Sequence, residues 1–127
     1  MDPLFLTVEQ VILINKDQVS RYGGIHGVLH PALLESAVNT PAQTMFGQFL
    51  HPDMFAMSAA YAFHICQNHP FHDGNKRTAV ASALVFLRWN GVETLADQRD
   101  FEAHILGVAT GTHSKDDIAR LLRGGPL

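Results

Sequence analysis

Between Asp53 and Asn90 the chain carries two stretches whose apolar residues recur at helical spacing, interrupted once by the string His69-Pro70-Phe71-His72-Asp73-Gly74-Asn75-Lys76-Arg77. In the first stretch Met54, Met57, Tyr61 and Ile65 fall on one face, with Phe55, Ala59, Ala62 and Cys66 beside them and Asp53 placed to cap the start. In the second, about Asn75 to Asn90, Ala79, Val80, Ala83, Leu84, Val85, Phe86 and Leu87 make the surface apolar nearly all the way round. Such a helix needs neighbours on every side, so it belongs at the centre of a bundle.

The flanking sequence supplies those neighbours. Thr7 and Gln10 have capping-box spacing before Val8, Val11, Ile12 and Val19, and Gly23-Gly24 stops that helix. Pro31 suits a first turn ahead of Leu33, Leu34, Ala37 and Val38, with Pro41 as the stop. Thr40 to Pro52 reads as a loop carrying Met45, Phe46 and Phe49 as core anchors or as part of a partner groove. Asn90-Gly91 ends the central helix, and Val92 to Leu95 is a candidate short extended segment. Asp97 starts a helix through Phe101, Ile105 and Val108 that Gly111 ends; Ser114 and Asp117 start another, closed by Gly124-Gly125. The expectation is an all-α bundle of about six helices forming one domain over residues 1–127.

Composition narrows the function classes. Apolar residues are 46% of the 127, enough for a core, and the mean hydropathy of +0.04 argues against disorder. Charged residues reach only 17%, against about 25% in ordinary soluble domains, which leaves surface for a partner or a second copy. A net charge of −3 argues against direct nucleic-acid binding. The lone Cys66 forms no internal disulfide and no cysteine zinc site. Met1 to Leu6 lack a signal-peptide pattern, and no run approaches about 18 apolar residues, so a cytoplasmic domain is expected.

The nine-residue string carries the chemistry. A helix starting near Asn75 presents amides with no helical acceptor and the positive end of its dipole. Gly74 lets backbone approach a ligand closely, and Lys76 and Arg77 add two cations where a helix by itself prefers anions. That pattern suits a bound phosphate. Asp73 beside it fits a Mg²⁺ ligand, since Mg²⁺ keeps most of its waters and binds phosphate oxygens too. His69 is the natural proton acceptor for an attacking hydroxyl. Each residue has a plainer reading: a helix-end histidine, a helix cap at Asp73 or Asn75, a turn at Gly74, a solvated helix start at Lys76 and Arg77. A zinc site fits poorly, because His64 and His69 are about 140° apart on a helix and His72 lies past a proline.

The string resembles the signature of the Fic/Doc superfamily, His-Pro-Phe-x-Asp/Glu-Gly-Asn-x-Arg. With Lys76 between Asn75 and Arg77, followed by Thr78-Ala79, it is similar to the Doc (death-on-curing) branch. Val19 to Gly24, Ser82-Ala83-Leu84, Phe86-Leu87-Arg88, Asn90-Gly91 and Ala109-Thr110-Gly111 agree with that branch. The resemblance implies a compact helical Fic fold and a toxin of a toxin–antitoxin pair. It implies a protein kinase moving the γ-phosphate of ATP to a threonine of elongation factor Tu, which blocks translation. His69 would be the general base, Asp73 the Mg²⁺ ligand, and Gly74, Asn75, Lys76 and Arg77 the nucleotide-phosphate site. The implied partner is an antitoxin whose disordered segment folds as a helix in a groove.

Two departures bear on the reaction. AMP-transferring Fic proteins carry Gly where this chain has Lys76 and a second Arg where it has Val80, which favours the kinase. Pro70 and Gly74 instead follow the general Fic pattern, where the branch's prototype has Ile and Ala, and keep AMP transfer as the alternative. A non-catalytic co-repressor acting with an antitoxin is the third reading. The family's self-inhibitory motif, Ser/Thr-x-x-x-Glu-Gly/Asn, is absent, so control falls to another chain. Oligomeric state is left open.

Overall fold

The structure, a computed structural model, describes residues 2–124. Six helices follow in order: α1 (Val8–Tyr22), α2 (Pro31–Asn39), α3 (Met54–Asn68), α4 (Asn75–Trp89), α5 (Gln98–Ala109) and α6 (Lys115–Leu122). A 3-10 turn (Thr40–Ala42) and a two-stranded ribbon, β1 (Thr44–Met45) against β2 (Gln48–Phe49), lie between α2 and α3. The all-α expectation holds.

The local signals act as read. Thr7 and Gln10 form a reciprocal capping box on α1, and Ser114 and Asp117 form one on α6. The Asp53 carboxylate accepts from the Ala56 amide at 2.8 Å, and Asp97 from Arg99 at 2.8 Å. Each cap satisfies an amide that the first helical turn leaves without a partner. Gly125, the second half of the stop read after α6, lies outside the described residues.

At the centre α3 packs against α2, α4, α5 and α6, while α4 packs against α1, α3 and α5. Ala59, Ala62, Ala79 and Ala83 are fully buried, so the two backbones approach closely. Ser58 accordingly reaches across to donate to the Ala83 carbonyl at 2.7 Å, which leaves no orphaned hydroxyl in the seam. Tyr61 and Phe86 pack with ring centroids 5.1 Å apart, and the Tyr61 hydroxyl accepts from the Leu6 amide at 2.8 Å. Burial pushes that phenol up to about 12, so it stays protonated at neutral pH.

Two expectations fail. Val92 to Leu95 is no strand; Thr94 instead donates its hydroxyl to the Leu122 carbonyl at 2.7 Å, tying the segment to α6. Extended pairing lies in the 40–52 loop, where Phe46 (φ 52) and Gly47 (φ 77) both take positive φ, as a two-residue hairpin turn requires. As a result Met45 and Phe46 are exposed, Phe46 at 97%, and neither anchors the core. The core expectation survives for Met57, which is fully buried, and in part for Phe49, Met54 and Phe55.

Candidate active site

The α3–α4 connection is built by local necessity. His69 ends α3 in the left-handed region (φ 49), its amide donating to the Ile65 carbonyl at 3.2 Å. A non-glycine residue rarely sits there without tertiary restraint, and the restraint is visible. The Pro70 carbonyl accepts from the Leu29 and His30 amides at 2.8 and 3.0 Å, and the His72 amide donates to Gly27 O at 3.0 Å. Phe71 is fully buried. The Asn75 side chain closes the turn, accepting from the Phe71 amide and donating to the Phe71 carbonyl, both at 2.9 Å.

Gly74 is the N-cap of α4 at φ 76, so Asn75 is the first helical residue and not the cap. Asp73 does not cap α4 either: its Oδ2 accepts from the Ile25 amide at 2.7 Å. Behind the loop, buried Asn15 donates to the Asp73 carbonyl at 2.9 Å and to Thr78 Oγ1 at 3.0 Å. Two glycines make the close fit possible. A Cβ on Gly24 (φ 116) would lie 2.8 Å from Asp73 Cβ, and one on Gly74 would lie 3.1 Å from Val19 Cγ2.

His69, Asp73, Gly74, Asn75, Lys76 and Arg77 all line one cleft of about 320 Å³, shared with Gln18, Gly23, Gly24 and His72. Asn75 is 4% exposed and its side-chain amide is spent on Phe71, so only its backbone amide is left for an anion. The first turn of α4 holds no acid, and the opening amides have no helical acceptor. Lys76 is exposed at the mouth. The Arg77 guanidinium stacks 4.0 Å over the Tyr22 ring and lies 3.8 Å from Glu102, contacts that fix a planar cation without burying it.

This donor set suits a Mg²⁺–nucleotide. Asp73 supplies one carboxylate, steadied through Oδ2, and no group of three or more potential metal ligands converges among the described residues. Mg²⁺ asks for little more, since waters and phosphate oxygens complete its shell. Lys76, Arg77 and the amides of the α4 N-terminus line the same cleft, a donor set that fits phosphate oxygens. His64 stands apart, 3.2 Å from Lys115 Nζ across α3 and α6.

Sequence reasoning missed two contributors, Asn15 and Gln18, and placed Tyr22 and Gly24 in the stretch resembling the Doc branch without the Arg77 platform or the close approach to Asp73. Asn15 and Gln18 did carry a signal, because they interrupt the apolar face on which Val11 and Val19 are buried. Gln18 Oε1 is buried without a partner at the cleft wall.

Comparison with known proteins agrees with this geometry. The Fic/DOC family model matches residues 5–87, which run from the approach to α1 through α4 and include the whole loop. The protein named "Protein kinase doc" of Escherichia phage P1 is 35% identical over 119 residues, 93% of this chain and 92% of the relative. The protein named "Toxin Doc" of Mycolicibacterium smegmatis is 39% identical over 105 residues, 81% of each chain. A match spanning the loop, the helices that hold it and nearly the full length of one relative makes this chain a member of the Fic/DOC family, in its Doc branch.

Proposed function

We propose that the chain is the toxin of a toxin–antitoxin pair and acts as a Mg²⁺- and ATP-dependent protein kinase. Its substrate is a threonine hydroxyl of elongation factor Tu, and it works in the cytoplasm, where ATP and that factor are found. The names of the two relatives support the toxin and kinase parts. The observation that carries the chemistry is the convergence of His69, Asp73, Lys76 and Arg77 on one cleft at the start of α4.

His69 is exposed on the cleft rim and takes the proton of the incoming hydroxyl as its oxygen attacks the γ-phosphorus. Lys76, Arg77 and the α4 amides hold the phosphate chain in line and neutralise its charge. Asp73 would hold Mg²⁺, which when bound draws phosphate oxygens together and offsets the charge growing on the leaving group. Anchoring Asp73 through Ile25 and Arg77 through Tyr22 keeps these charges in place before substrate arrives.

Val80 supports phosphate transfer over AMP transfer. The AMP-transferring pattern places a second arginine there, and this position is fully buried in the core, where a cation facing phosphate has no place. AMP transfer to a protein hydroxyl is the second reading, favoured by Pro70 and Gly74.

An antitoxin needs an unpartnered apolar surface. A groove of about 590 Å³ between α1 and α4 offers one, lined by Leu6, Leu13, Ile14, Val85, Arg88 and Trp89. Leu13 is 64% exposed there, and an amphipathic antitoxin helix is its occupant. Expression in bacteria lacking the antitoxin tests the reading: the parent chain halts growth and His69→Asn does not. Growth unaffected by the parent leaves only the co-repressor reading, and arrest by His69→Asn removes the assigned base.

A further inference from the structure

On the far side of α3 from the cleft, a second group of titratable side chains plays no part in the chemistry above. Lys115, the first residue of α6, places Nζ 2.9 Å from His51 Nε2 and 3.2 Å from His64 Nε2. The three line a cavity of about 560 Å³ walled by the α2 end, the 3-10 turn, α3 and α6. We propose that Lys115 is a nucleophilic amine and a site of covalent acylation by small acyl phosphates.

The surroundings disfavour an ammonium. Asp116 is the only carboxylate lining the cavity, and no carboxylate lies within ion-pair distance of Lys115 among the described residues. Asp53 is occupied by Arg123 at 2.8 Å, and Asp117 faces Ser114, His113 and Arg120. The α2 and 3-10 residues at the wall, Ser36, Thr40 and Gln43, are uncharged. A cation at the first position of a helix also meets the positive end of the dipole. The Phe63 ring, 5.9 Å from Nζ, is at the outer limit for a cation–π contact of about 6 Å.

Hydrogen-bond bookkeeping points the same way. Were Lys115 an ammonium, it would donate to both Nε2 atoms, forcing the proton of His51 onto Nδ1. That atom is buried without a partner, on a residue only 8% exposed. With a neutral amine, His51 donates from Nε2 to Nζ, Nζ donates to His64, and the atom left over is a bare lone pair. An orphaned donor is the rarer and costlier defect. Burial holds the Lys115 amine below its ordinary range against the opposing Asp116. Burial holds His64 down to about 4, so its Nε2 rests unprotonated and accepts a hydrogen bond from Nζ at 3.2 Å.

The step balances within the cavity. As the acyl phosphate enters, the His51 Nε2–H turns from Nζ to a phosphate oxygen; the freed Nζ lone pair attacks the acyl carbon, the bond from that carbon to the phosphate oxygen breaks, and phosphate leaves with the electron pair. The surplus amine proton passes to the departing phosphate, a far stronger base than the His64 imidazole. The amides of Lys115 and Asp116, at the start of α6, have no helical acceptor and suit a phosphate oxygen. The product is an amide at Nζ, with no oxidant or further reactant required.

The chain has three lysines, Lys16, Lys76 and Lys115, so the comparison is internal. The folded full chain is treated with acetyl phosphate across a pH series, and peptide mass spectrometry follows each lysine. Lys115 is expected to react several-fold faster than Lys16 near neutral pH, with its half-point at lower pH. In guanidinium the three lysines converge. His64→Gln slows Lys115 without changing Lys16, with circular dichroism confirming the fold. Lys115 reacting no faster than Lys16, or an advantage that persists in the unfolded chain, overturns the proposal.

Discussion

Asn75 and His69 sit six residues apart and do opposite kinds of work, one holding the loop and one facing the cleft. Asn75 satisfies both backbone groups of buried Phe71, so Asn75→Ala strands an N–H in the core. The expected loss is about 1–3 kcal/mol, read from urea unfolding; an unchanged midpoint would show that water replaces the amide. His69 makes no comparable structural contact, and its left-handed backbone is one that asparagine tolerates. His69→Asn is therefore expected to leave the melting temperature within a few degrees while phosphate transfer falls about 10²- to 10⁴-fold. A coupled loss of stability would make His69 a structural residue. At this scale the sequence showed which residues gather, because the six site residues lie within nine consecutive positions spanning the α3–α4 connection and the first turn of α4. It did not show how Asp73 or Asn75 is used, because their partners, Ile25 and Phe71, are backbone groups that no side-chain pattern reveals.

Among the elements, the pairing of α3 with α6 sets a pH dependence. Burial, with Lys115 and His51 nearby, holds the His64 imidazole down to about 4 from its ordinary 6.5. His51 is lowered by burial and by Lys115 as well. Below about 6.5 the unfolded chain binds a proton that the folded chain refuses until about 4, so this part of the stability is complete above 6.5 and declines as pH falls. Urea midpoints measured from pH 7 down to 4.5 should drop, and His64→Gln should flatten the slope. A parent whose midpoint is constant over that range contradicts the assignment. Helix positions were legible because caps and apolar spacing agree in α1, α3, α5 and α6, while α4 is marked by an apolar surface nearly all the way round. The ribbon at 44–49 was not, since one of its two turn residues is Phe46, which carries none of the usual turn chemistry. Val92 to Leu95 misled for the reverse reason: its β-branched residues suggest a strand, but no partner strand lies beside it.

For the molecule as a whole, the low charge fraction finds a physical counterpart in the exposed apolar groove of α1 and α4. Leu13→Asp changes an exposed side chain and should leave growth arrest intact, while co-expressed antitoxin loses its ability to restore growth. Restored growth with Leu13→Asp would move the antitoxin to another face. The groove lies away from His69 and Asp73, so binding there and chemistry in the cleft are separable by substitution. The decisive measurement follows the phosphate itself: the purified chain is incubated with a bacterial lysate and ATP labelled at either the γ or the α position. The account predicts label from γ-labelled ATP on a protein the size of elongation factor Tu, none from α-labelled ATP, and neither with His69→Asn. Label arriving from the α position would contradict it and establish AMP transfer.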